Sequence, residues 1–182
     1  MQVISIKLPR IQLRDLVEAD RSAFITYQTD PRYRELYDFA EGTDRPGQLF
    51  DLFLGWQHEM PRVNFQLGIF HSATDRLVGC GGLRRVDDDV AILGIELAAD
   101  EWGRFRLALD ACTALIRFGF DEMGIGTIIG DTASGNRRVE KLARWFGGEI
   151  VARRRGPAWM QDRGWHEVDW AITERDFEQS QL

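Results

Sequence analysis

The sequence predicts an α+β, or mixed α/β, fold, with a central and mostly antiparallel mixed sheet flanked by helices. Three observations predict it. Between Phe65 and Ala98 apolar residues recur at every second position, in three runs separated by turn residues, the pattern of an antiparallel meander. Residues 104–123 then change to helical spacing, with Leu107, Ala111, Ala114, Leu115, Phe118 and Phe120 on one stripe. Short apolar runs and helical segments continue to the C-terminus. The resulting order is β, α, α, βββ, α, β, α, ββ, which is not the strict alternation of a parallel sheet.

Each element has its own reason. Ile4–Leu13 reads as the first strand, with Ile4, Ile6 and Leu8, then Ile11 and Leu13, alternating around Pro9. A helix starts at Asp15 or at Glu18-Ala19-Asp20 and runs to Thr29. Asp30-Pro31 ends it, because the residue before a proline is steered out of the helical region. Residues 32–45, rich in Tyr and Arg, read as a loop or short helix. Pro46 suits the first turn of a helix through His58, with Leu49, Phe50, Phe53, Leu54 and Trp56 as its apolar face. The meander consists of a strand through Phe65, Leu67 and Ile69, a strand Arg76–Arg85 and a strand Val90–Ala98, with turns at Ser72–Asp75 and Asp87–Asp89. Gly124 caps the long helix. Thr127–Gly130 is a short buried strand, Asn136–Phe146 a helix stopped by Gly147-Gly148, and Glu149–Ala152 and His166–Ile172 the last strands.

Composition bounds the rest. The chain has 182 residues, 44% hydrophobic and 29% charged, with no repeat or linker. It reads as one domain over residues 1–182. The start, Met1 to Lys7, alternates too much for a signal peptide, and no apolar run reaches the ~20 residues of a membrane helix. Two cysteines, Cys80 and Cys112, make neither a disulfide framework nor a four-thiolate metal site, and both read as packing thiols. His58, His71 and His166 lack metal-ligand spacing, so no metal is expected. These features place the protein in the cytoplasm and off the membrane. With 29 acidic and 23 basic residues the net charge is −6. That disfavours nucleic acid as a partner and suits cationic ones such as amines. Trp159, Trp165 and Trp170 gather near the C-terminus. An exposed apolar patch there would suit a homodimer.

Particular residues carry a resemblance. Leu13 to Asp20, Phe65 to Ile69, Arg76 to Leu83, Leu93 to Leu97, Trp102-Gly103-Arg104, Asp110-Ala111, Phe118-Gly119-Phe120 and Gly164 to Asp169 occur in this order. Asn136 stands eleven residues before Gly147. Together they resemble the GNAT superfamily of acyl-CoA N-acyltransferases, nearest its Rim-type branch, which acetylates N-terminal amines of ribosomal proteins. The resemblance covers nearly the whole chain. It implies acetyl-CoA as co-substrate, held between two splayed strands, and an acceptor that is a small-molecule amine or a protein N-terminus. The strand edge at Ile95–Ala99, including Leu97 and Ala98, would pair with the pantetheine amides. The turn Trp102, Gly103, Arg104, Phe105, Arg106, Leu107 and Ala108 would meet the pyrophosphate with backbone N–H groups at a helix start. Asn136 and Arg138 would also face the cofactor.

Two departures matter. The family's cofactor turn has a central glycine, and here Phe105 or Arg106 takes that place, depending on the anchor. The compensating reading gives Arg104 and Arg106 the phosphate as side-chain forks. As exposed residues they would carry little stability. The family's usual acids are also replaced, by Ala143 and Val139, so no residue inherits the task of protonating the thiolate. Alternation sets Glu96 opposite Ile95 and Leu97, as an acceptor-site general base or as a solvated carboxylate. Two functions follow: an N-acetyltransferase, or a non-catalytic module of the same shape that binds acyl-CoA weakly or a protein partner.

Overall fold

Pro9 divides what the alternation read as one strand. The computed structural model describes residues 3–36 and 45–181. In it Ser5–Lys7 (β1) and Ile11–Asp15 (β2) are separate strands. They pair antiparallel, with Ser5 opposite Arg14. Proline has no N–H for a ladder and a fixed φ, so it sits in the turn. The Leu8 N–H closes that turn on the Ile11 carbonyl at 2.8 Å.

The next elements follow the sequence closely. A 3-10 turn, Glu18–Asp20, leads into Arg21–Gln28 (α1), and Pro31–Leu36 (α2) starts on the proline that ended it. The rest of the stretch read as loop or short helix, up to residue 44, lies outside the described residues. Then come Arg45–Trp56 (α3), Asn64–His71 (β3), Arg76–Asp87 (β4) and Val90–Leu97 (β5). A 3-10 turn at Ala99–Glu101 precedes the long helix Phe105–Asp121 (α4). Gly124 follows it with φ +62°, the left-handed cap that glycine supplies. Thr127–Ala133 (β6), Arg137–Trp145 (α5), Glu149–Arg154 (β7), Ala158–Gln161 (α6), Glu167–Thr173 (β8) and Glu174–Ser180 (α7) complete the order. The two short helices α6 and α7 are additions to the sequence reading. Four residues are too few to show a helical period. The second helix did carry a start signal, since Thr173 accepts from the Asp176 N–H at 3.2 Å.

The strands form one sheet in the order β1-β2-β3-β4-β5-β6-β8-β7. Its described ladders are antiparallel, except for the parallel one between β5 and β6. That parallel register covers Val90–Ile92 against Thr127–Ile129 and goes no further. The two strands are therefore not hydrogen-bonded neighbours along their whole length.

Contacts divide the chain into two units. The first is Met1–Arg84 with Gly94–Leu115. Its core holds Leu16, Phe24, Tyr27, Tyr33, Phe50, Phe53, Phe70, Leu77, Cys80 and Ala98. Beside it Arg62 donates to both oxygens of Asp15, at 2.6 and 3.0 Å, and Asp15 also accepts from the Ile4 N–H at 2.9 Å. The second unit is Arg85–Leu93 with Ile116–Leu182. There Ala143, Val168 and Trp170 pack with Ile150, and the Phe177 ring meets Phe120 and Phe146. Trp159 and Trp165 are half-buried and T-shaped at 6.5 Å, with Arg163 over both rings, while Trp170 is buried. The exposed patch expected from these three tryptophans is therefore not formed by them.

Candidate active site

Glu96 lies on β5 in the first unit. Its face is covered from helices α1 and α2. Asp30-Pro31 separates these helices, so the last turn of α1 and the first turn of α2 both reach β5. Phe24 packs edge-on against Tyr27 at 5.2 Å, and Tyr27 against Tyr33 at 5.8 Å. This aromatic packing sets the hydroxyls against Glu96. The Tyr27 hydroxyl donates to Glu96 Oε1 at 2.5 Å, and the Tyr33 hydroxyl donates to Oε2. Gln28 Nε2 donates to Oε1 at 2.5 Å. Glu96 is thus neither a solvated strand carboxylate nor a bare base. It is half-buried and accepts from three neutral donors.

The electrostatics follow from those neighbours. Burial pushes the Glu96 carboxyl above its ordinary range, and the hydrogen bonds from Tyr27, Tyr33 and Gln28 oppose that. Burial drives the Tyr27 phenol well above its usual range, and the Cys80 and Glu96 groups add to it. Cys80, fully buried on β4, is pushed well up by burial first and then by Glu96. Cys112 is pushed up to about 12 by burial alone. Both cysteines are buried and free, which matches packing thiols rather than nucleophiles.

A bulge on β4 lets β5 approach. The register runs from Ile69 opposite Gly79 to Phe70 opposite Leu77, leaving Val78 as the extra residue. A Cβ at Gly79 would sit 2.2 Å from the Glu96 carbonyl oxygen. Only glycine allows that backbone contact.

The stretch after β5 folds back on itself. The Ala98 N–H donates to the Val78 carbonyl at 2.9 Å, and the Trp102 indole donates to the Leu97 carbonyl at 3.0 Å. Those two groups of the expected pantetheine edge therefore carry internal bonds. Gly103 has φ +92° and open space around its Cβ position. Helix α4 begins at Phe105, which is half-buried, while Arg106 is exposed and Leu107 buried. The first-turn N–H of Arg106 has no partner among the described residues. An open glycine, an exposed arginine and a first-turn donor suit an anionic phosphate group. The residues thus fit the pyrophosphate end of acetyl-CoA, although the family's glycine is absent.

Arg104 has a neighbour that the sequence did not indicate. Its guanidinium lies 3.1 Å from Glu101, which Arg76 also pairs with, and the Glu101 side chain is 1% exposed. Arg104 was expected to carry little stability as an exposed residue; it is exposed, and it forms an ion pair with this buried carboxylate. Asn136 is the N-cap of α5, accepting from the Val139 N–H at 3.3 Å. Arg138 is exposed at the start of the same helix. Both belong to the second unit. Among the described residues no group of three His, Cys, Asp or Glu side chains is arranged to hold a metal ion, and no helix is long and apolar enough to cross a membrane.

Sequence reasoning found Glu96 but missed Tyr27, Gln28, Tyr33, Arg76 and Glu101. The adjacent Tyr27-Gln28 and the later Tyr33, on either side of a Pro, were the available signal. They lie far from Glu96 in the chain, and no local pattern joins them.

Residues 10–149 match the family model described as the Acetyltransferase (GNAT) domain. No curated protein sequence matches. An acetyltransferase of the GNAT family from Bacillus anthracis is similar in structure, with TM-score 0.76, 18% identity, and 94% of this chain and 99% of that one covered. The spermidine N-acetyltransferase from Vibrio cholerae, solved with CoA and spermine, gives 0.77 at 15% identity, covering 93% and 99%. The ribosomal-protein-S5-alanine acetyltransferase from Vibrio fischeri gives 0.76 at 12%, covering 96% and 98%. At these identities the likeness is one of fold, and the family assignment rests on the matching model over most of the sequence: the chain belongs to the GNAT acetyltransferase family.

Proposed function

We propose that residues 1–182 form a single cytoplasmic N-acetyltransferase domain that moves an acetyl group from acetyl-CoA to a primary amine. The observation that carries this reading is Glu96, a half-buried carboxylate with a raised proton affinity held by three donors. An amine arrives as its cation and must lose a proton before it can attack. A carboxylate tuned upward is a better base for that purpose than an ordinary one. Glu96 takes the proton, and Tyr27, Tyr33 and Gln28 spread the charge while the carboxylate is ionised. Acetyl-CoA, when bound, supplies the acetyl group as a thioester. The start of α4 and Arg106 are assigned to its phosphates, and Asn136 and Arg138 to a further contact. The acidic chain, at −6, favours a cationic acceptor. The two Vibrio neighbours are named for acetylating spermidine and ribosomal-protein-S5-alanine. The second of these keeps the Rim-type branch in view.

The replaced turn glycine favours a second reading, a non-catalytic module that binds acyl-CoA weakly or a protein partner. One experiment separates the two. CoA release is followed with acetyl-CoA and a panel of spermidine, alanyl peptides and free amino acids, and melting curves are recorded with CoA. The enzyme reading expects transfer to at least one amine, and a loss of about a hundredfold or more in Glu96→Gln, the usual contribution of a general base. Ligand at a hundred times Kd should add about 2.7 kcal/mol of stability. Stabilisation by CoA without transfer to any amine supports the module instead.

A further inference from the structure

We propose that Gln28 is a positioning residue that fixes the direction of every proton in the Glu96 network, and this rests on the acetyltransferase reading above. Gln28 is 2% exposed. Its Nε2 reaches three oxygens: Glu96 Oε1 at 2.5 Å, the Tyr33 hydroxyl at 3.2 Å and the Tyr27 hydroxyl at 3.3 Å. A hydroxyl has one proton and two lone pairs, and an amide NH2 has two protons, so one goes to Oε1 and the other is shared between the two phenol oxygens. Each tyrosine oxygen that accepts from Gln28 must therefore turn its own proton elsewhere. The Tyr27 proton goes to Oε1 and the Tyr33 proton to Oε2. Rotating the amide would place its carbonyl against the carboxylate and two phenol oxygens, which the ionised state of Glu96 does not tolerate. The amide therefore gives the network one polarity, with all donors aimed at one carboxylate.

The described groups with an interaction at Glu96 come from three elements. They are Tyr27 and Gln28 from α1, Tyr33 from α2 and the Cys80 thiol from β4, beside Tyr27. Two of the three titratable ones, Tyr27 and Cys80, are held protonated by burial. Among the described residues these partners of Glu96 carry no positive charge. Burial raises the proton affinity of Glu96, and these neutral donors oppose it. Without Gln28 the tyrosine hydroxyls are free to rotate away, and the carboxylate loses its amide donor as well. Its proton affinity should then rise.

The test reads the carboxyl directly. The protein is labelled with 13C at glutamate Cδ and 15N at glutamine, and Glu96→Gln assigns the Glu96 signal. In the wild-type protein the Gln28 NH2 signals should move with the Glu96 titration. In Gln28→Met, which keeps the volume, the Glu96 titration should shift to higher pH. The acid limb of the acetyl-transfer profile should shift with it, and the rate on that limb should fall about tenfold, the weight of one hydrogen bond to a charged group. KM for acetyl-CoA should stay put. Gln28→Glu puts a second carboxylate against the first, so the upward shift should be larger. Gln28 NH2 signals indifferent to Glu96 overturn the proposal, and so does an unmoved Glu96 titration in a folded Gln28→Met. The wild-type measurement decides even if the variants do not fold. Because the titrations need no turnover, an intact network in a protein that transfers nothing overturns the enzyme reading separately.

Discussion

Glu96 and Glu101 stand close together in the chain, on either side of the end of β5, and are held in opposite ways. Glu101 is buried against two guanidinium groups, from Arg76 and Arg104. Glu96 accepts from two hydroxyls and an amide. Charge set against charge makes Glu101 the centre of an ion-pair cluster. Neutral donors leave part of the burial cost standing, so the group keeps a proton within reach. The turn that precedes α4 is built on the first kind, and the face of β5 that carries Glu96 on the second. A buried carboxylate is thus not by itself a sign of chemistry; its partners decide.

The largest effect that tests this comparison is in stability. Arg76→Ala with Arg104→Ala leaves Glu101 without a counter-charge. Urea unfolding should show a loss of about 3 kcal/mol, at the lower end for a broken buried pair because both arginines are half in water. Glu101→Gln, which removes the charge instead of stranding it, should cost less, about 1 kcal/mol. A double variant no worse than Glu101→Gln would mean that the arginines do not hold Glu101.

Next in size is a binding effect. Arg106 is exposed and makes no ion pair among the described residues, so Arg106→Ala should leave stability within about 0.5 kcal/mol. Calorimetry should still show CoA binding weakened about tenfold, since one charge-assisted bond is worth that much even when partly screened. Unchanged affinity removes Arg106 from the phosphate site.

The smallest effect sharpens the contrast by pH. The folded-state affinity of Glu96 for its proton is raised, so its contribution to stability is complete below the unfolded-state value. It is lost as pH rises through the folded one. Melting curves of wild type and Glu96→Gln should therefore diverge, with the variant gaining relative stability as pH climbs out of the acidic range. Curves that run parallel would show that Glu96 is not destabilised by ionising.

Local signals were readable in the sequence. Helix α4 with its Gly124 cap and strands β3 to β5 depend on spacing and turn residues within a few positions, and they lie within a few residues of where the pattern set them. The β1–β2 hairpin was misread because apolar alternation continues across Pro9, although proline's missing N–H argued for a break. The position of β8 between β6 and β7 is a long-range choice that no short window contains. The site divides in the same way. Glu96 could be picked out by alternation, but its three donors arrive from α1 and α2 by packing of the Phe24, Tyr27 and Tyr33 rings. Tyr27 and Tyr33 were visible in the sequence without any sign of where they point. Arg104 was visible too, but its pairing with a buried Glu101 was not.

The paired phenols give the protein a built-in optical gauge. A tyrosine that donates to a carboxylate absorbs at longer wavelength and fluoresces less than one that donates to water, because the anion draws on the phenolic proton. Tyr27 and Tyr33 both donate to Glu96. When that carboxyl takes up a proton, both rings lose their anionic acceptor together. A near-ultraviolet difference spectrum should therefore follow the protonation of Glu96 with no label attached. An amine docking at the same carboxylate would leave its mark in the same bands.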